Sequence, residues 1–178
     1  MKTSYKVSLG GIIGALSLCL MLLTSIIPFG TFAVPALAGM ILICVVIELG
    51  FRWAFVVYAI VSALSLLFVT DKEAALYYVV FLGFYPVAKS LIERLKNIFL
   101  QFVLKYALFN ICMVLAFYIS IYFFSIPKES FSLFGIYLPW VFLILGNMVF
   151  PIYDYCISKM VTVYLLKIHK LLANKTKL

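Results

Sequence analysis

Charge is scarce in this sequence. Only 11% of its 178 residues are charged, against the ~25% of an ordinary soluble domain. It has one histidine, His169, and six acidic residues. No HExxH, GxSxG or Walker A pattern occurs, and no Gly-rich dinucleotide turn. Those absences argue against an ATPase or a soluble-type hydrolase and leave an enzyme without positive support. The four cysteines, Cys19, Cys44, Cys112 and Cys156, sit singly inside apolar runs. That spacing suits small packing residues better than a metal site or a disulfide framework. No cofactor is expected. Low-complexity linkers and convincing internal repeats are missing too.

What is present is apolar sequence. Hydrophobic residues make up 67% of the chain, more than a soluble globule of this size could cover. Lipid is the solvent that removes the difficulty. The expected fold is all-α: one integral membrane domain over 1–178, crossing the bilayer as six helices. The spans are expected at about 7–27, 33–49, 53–69, 74–92, 102–125 and 134–157, with a basic tail over 158–178 that continues in part as an amphipathic helix. At ~1.5 Å per residue these segments match the ~30 Å hydrocarbon core. Lys2 and Lys6 before an apolar stretch imitate a signal peptide. The stretch is long enough to span and has no small-x-small cleavage site, so it reads as a retained first helix.

The net charge of +8 is concentrated on one side of this arrangement. Of fourteen Lys and Arg, only Lys72 and Lys128 fall in the loops of the opposite side. By the positive-inside rule both termini are cytoplasmic. Such a Lys-rich chain suits a bacterial plasma membrane. Basic residues placed between apolar runs serve topology and lipid contact. No nucleic-acid-binding pattern accompanies them. The connection Glu93–Gln101 reads as a cytoplasmic amphipathic elbow that binds lipid or a partner.

Ionisable residues inside or beside spans carry the most information, because a charge in lipid costs roughly 2.5–3.5 kcal/mol on insertion scales. Glu48, Arg52, Lys89, Lys105 and Asp154 fall at a similar depth near the cytoplasmic interface. Glu48 and Asp154 are expected to pair with some of the three basic residues. The cluster reads either as a coupling surface or ion path, or as structural ion pairs. Asn110 and Asn147 are the deepest strong polar groups and need partners across helices or in a cavity. The outer end is aromatic, with Phe32, Tyr77, Tyr78, Tyr118, Tyr122, Tyr137 and Trp140. It reads as an interfacial belt or as a pocket for a small organic molecule. In the first span Gly10 and Gly14, and Gly11 and Ala15, form small-xxx-small pairs that let another helix approach closely.

This layout resembles the S components, the substrate-binding membrane subunits, of energy-coupling factor transporters. Gly10-Gly11-x-x-Gly14-Ala15 stands where that family carries an Ala-x-x-x-Ala motif facing the transmembrane coupling subunit. Pro28 to Gly39 is similar to its first outer loop. The resemblance implies uptake of a vitamin or similar micronutrient. It also implies a coupling subunit and two cytoplasmic ATPases as partners, and a substrate site at Phe32, Tyr78, Tyr122, Tyr137, Trp140 and Asn147. The stretch Gly83-Phe84-Tyr85-Pro86-Val87-Ala88-Lys89 matches no ligand pattern of the family. The alternative is a non-catalytic membrane scaffold resembling the rod-shape protein MreD. A solvent-excluded outer pocket would favour capture, and tight outer packing would favour a scaffold.

Overall fold

The computed structural model describes residues 3–27, 30–122, 132–133, 136–137 and 139–169. The chain is an all-α bundle. Helix α1 spans Thr3–Leu23, α2 Ala33–Leu49 and α3 Phe51–Phe68. Helix α4 runs over Lys72–Ile92 with a break in its middle, α5 over Ile98–Tyr122, and α6 over Pro139–Val163, continuing as a π-helical end over Tyr164–His169. Five of these are long and apolar enough to cross a membrane. The sixth, α2, has 17 residues, ~26 Å at 1.5 Å per residue. It is the most enclosed of the uninterrupted helices, burying Val34, Pro35, Ala38, Gly39, Leu42, Ile43 and Val45 against its neighbours.

Several boundaries differ from expectation, for local reasons. Helix α4 starts at Lys72 because Asp71 caps it, accepting from Ala74 N at 3.0 Å. The elbow is not an amphipathic helix. Residues 93–97 form a turn, and Asn97 starts α5 by accepting from Phe99 N at 3.0 Å. Gln101 Nε2 closes the turn on Leu95 O at 2.7 Å. The last span starts at Pro139 rather than 134, preceded by a two-residue antiparallel pairing of Ser132–Leu133 with Ile136–Tyr137. The last helix runs on over 158–169, and the remainder of the basic tail lies outside the described residues.

Without water between helices, close fit and hydrogen bonds hold such a bundle together. Gly50, with φ +86°, turns α2 directly into α3 in a conformation that favours glycine. Gly39 lets α2 touch the backbone of α4: a Cβ there would lie inside the Leu82 carbonyl and 3.3 Å from Gly83 Cα. Ser17 of α1 donates to Ala38 O of α2 at 2.9 Å and meets Tyr78 Oη of α4 at 3.2 Å. Helices α1, α2 and α3 thus pack as one group, and α4, with a direct contact of α2 on α6, joins them to α5 and α6.

Candidate functional site

Helix α4 is irregular at mid-height. Tyr78–Leu82 is a π-helical turn, and the α-helix resumes at Tyr85 with Pro86 in its first turn. Proline has no N–H, so the carbonyl four residues back, that of Leu82, loses its helical partner. In lipid such a group must find another donor. Tyr153 of α6 supplies it, its hydroxyl 2.9 Å from Leu82 O. Tyr58 of α3 donates likewise to Val79 O at 2.5 Å. The unusual Gly83–Lys89 stretch is therefore the place where α4 is broken and reconnected through tyrosines. π-Turns inside helices recur at functional sites.

Below the break, Tyr85, Lys89 and Glu93 follow one another at four-residue spacing and share one face of α4. Lys89 has a side chain 3% exposed. It pairs with Asp154 of α6, donates to Asp154 O at 3.0 Å and to Ser158 Oγ at 2.8 Å, and lies 3.1 Å from Glu93. Lys105 of α5 reaches Glu93 at 2.7 Å and Asp154 at 3.1 Å. Tyr85 Oη donates to Asp154 Oδ1 at 2.5 Å. Two lysines and two carboxylates thus close a neutral ring joining α4, α5 and α6. An isolated buried charge is costly, but a paired and hydrogen-bonded set is tolerated.

The expected charge cluster is realised around Asp154, Lys89 and Lys105. Glu93, assigned from sequence to the elbow, is its second acid. Arg52 lies elsewhere, its guanidinium 5.9 Å from the Phe51 ring, and Glu48 accepts from Tyr164 Oη at 3.1 Å. The spacing 85–89–93 was the available signal for Tyr85 and Glu93. Nothing in the sequence pointed to Tyr153 or Ser158.

The residues expected to bind substrate are not gathered together. Tyr78 is fully buried in the core, its ring packed over Gly83. Asn147 exchanges hydrogen bonds with Asn110, each Nδ2 2.9 Å from the other's Oδ1. The rest of their donor capacity goes to Tyr106 O and Leu143 O. Tyr122 and Trp140 are 80% and 71% exposed on the bundle's outside. Phe32 rests on Tyr77 with ring centres 4.7 Å apart. Tyr137 lies in the short strand pair, its side chain outside the described residues, as is the loop 123–131. Two clefts border the ion ring. One, of about 260 Å³, lies between α5 and α6 beside Lys105 and Asp154. The other, of about 130 Å³, lies among α2, α4 and α6 beside Lys89 and Glu93.

The four small residues of α1 divide. A Cβ on Gly10 would sit 3.2 Å from Val57, and one on Gly14 3.3 Å from the same side chain, so these two seat α1 against α3. Gly11 has nothing within 4 Å of its Cβ position, and Ala15 is exposed beside it. No group of three or more metal-ligating side chains occurs among the described residues. The apolar helices make this chain a multi-pass membrane protein. Comparison with known protein families, with curated proteins and with solved structures gives no match to it.

Proposed function

We propose that this chain is the substrate-capturing membrane subunit of an energy-coupling-factor-type uptake transporter, taking a vitamin or similar small micronutrient. The observation that supports it is the division of α1. Gly10 and Gly14 serve the chain's own packing. Gly11 and Ala15 leave a flat strip on the opposite, exposed face. Small residues at that spacing admit a second transmembrane helix at close range, as a coupling subunit would require. In this reading the chain hydrolyses nothing, stands in a bacterial plasma membrane with both ends cytoplasmic, and relies on two ATPases.

The test is co-purification with a coupling subunit together with native mass spectrometry against a panel of vitamins. Gly11→Leu and Ala15→Leu should abolish co-purification and uptake while leaving thermal unfolding unchanged. Gly14→Leu should instead unfold the protein. Ligand binding at one-to-one stoichiometry is the second expected result. If no vitamin binds and the two α1 variants behave as wild type, the reading fails.

A scaffold that only joins other membrane proteins is the second reading. It is favoured by the use of Tyr78 and Asn147 in internal bonds and by clefts that border the basic end. Its signature is retention of other envelope proteins with no small ligand.

A further inference from the structure

We propose that the cleft between α5 and α6 holds the phosphate of a phospholipid headgroup, taken from the leaflet on the basic side of the bundle. Its walls include Phe102, Lys105 and Tyr106 on α5 and Pro151, Asp154 and Tyr155 on α6. The Lys105 ammonium has three N–H donors. Among the described residues two are directed at Glu93 and Asp154, and we assign the third to a ligand in the cleft. Lys159, one turn further along α6, lies against a wall residue of the cleft, its Nζ 5.3 Å from the centre of the Tyr155 ring. Within the ring of charges Lys89 and Lys105 cancel Glu93 and Asp154. Lys159 then leaves a surplus positive charge, which suits a phosphate. Asp154 opposes an anion only weakly, because both its oxygens already accept, from Lys89 and Tyr85 on one side and Lys105 on the other.

The occupant is a lipid because of where the cleft opens. Phe102 and Tyr155 are more than half exposed on the face that meets the bilayer. From there the exposed side chains of Ile152, Met148 and Ile144 continue along α6 toward the membrane centre, a track for acyl chains. The volume, about 260 Å³, is below the ~300–1,000 Å³ of sites that enclose a whole small molecule. It fits a headgroup better than a captured nutrient. The inference does not depend on the transport reading.

Native mass spectrometry of the full chain in mild detergent tests it. The protein is titrated in parallel with phosphatidylglycerol, phosphatidylethanolamine, glycerol 3-phosphate and inorganic phosphate. One phospholipid is expected to bind, with neither free phosphate competing. Lys159→Gln should weaken the lipid about fivefold, the effect of roughly one lysine near an anionic surface. Lys96→Gln, in the 93–97 turn and with no contact to a cleft wall residue shown, should change nothing. Lys105→Gln should remove the lipid altogether, but its fold depends on the ion ring, so Lys159 is the deciding position. The proposal is overturned if no lipid is retained, if Lys96→Gln and Lys159→Gln lose it equally, or if inorganic phosphate binds as well as lipid.

Discussion

Tyr153 gives its hydroxyl to the carbonyl of Leu82, 2.9 Å away, and so replaces the hydrogen bond that Pro86 denies to α4. The break in α4 is thereby held from α6, two helices later in the chain. Tyr153→Phe keeps the ring and removes only that donor. We expect a loss of about 1 kcal/mol, within the range of single interhelical hydrogen bonds in membranes. Hydrogen exchange should quicken at the amides around 78–84 and stay unchanged in α1. Equal protection in both segments would remove Tyr153 from this role.

Asn110 and Asn147 satisfy each other across α5 and α6 through two bonds of 2.9 Å. Changing either one to Leu leaves a lone amide in hydrocarbon and should cost about 1–2 kcal/mol. Changing both removes the orphan, so the double variant should be no worse than the poorer single one. A double-mutant cycle on unfolding in detergent reads this directly. Additive losses would mean that the two amides act independently.

Asp154 touches both lysines and Tyr85, whereas Glu93 is 42% exposed by side chain. Asp154→Leu should therefore cost about 3 kcal/mol or more, the cost of breaking a buried pair and stranding its cations. Glu93→Gln should cost about 1 kcal/mol. Thermal unfolding of the two variants checks the order, and the reverse order would contradict the geometry of the ring.

Gly39 and Gly11 make opposite predictions for the same change. Gly39→Ala places a methyl into the Leu82 carbonyl, so α2 must back away from α4 and monodisperse protein should be lost on size exclusion. Gly11→Ala meets open space and should leave stability unchanged or slightly raised, since alanine favours helix over glycine by up to ~1 kcal/mol.

Orientation is testable by labelling. Thr70 and Lys96 are both exposed, at opposite ends of the bundle. In a cysteine-free background Thr70→Cys should react with an impermeant thiol reagent in intact cells, and Lys96→Cys only after permeabilisation. The opposite pattern would reverse the topology that the basic residues imply.

The sequence by itself determined the solvent, the helix class and the charge asymmetry, because these depend on composition and on run length against a bilayer of known thickness. It placed α2 at 33–49, as observed, since Gly50 and the turn before Ala33 are local signals. It also placed Asp154, Lys89 and Lys105 at one depth, and in the structure the three side chains meet in the ion ring. What only the tertiary structure decided was partnership. Tyr78 and Asn147 looked like ligand groups because a polar atom in an apolar run needs a partner, and one sequence does not say whether that partner is a ligand, Ser17 or Asn110. Glu93 looked like part of a surface elbow until the short turn to Asn97 carried α4 down to it. Gly10 and Gly11, adjacent in sequence, were separated into inner and outer faces by the packing of α1 on Val57. Helix pairing is a matter of which surfaces fit, and in lipid, where apolar side chains gain little from leaving one another for solvent, that fit is set by shape and hydrogen bonds rather than by hydrophobicity.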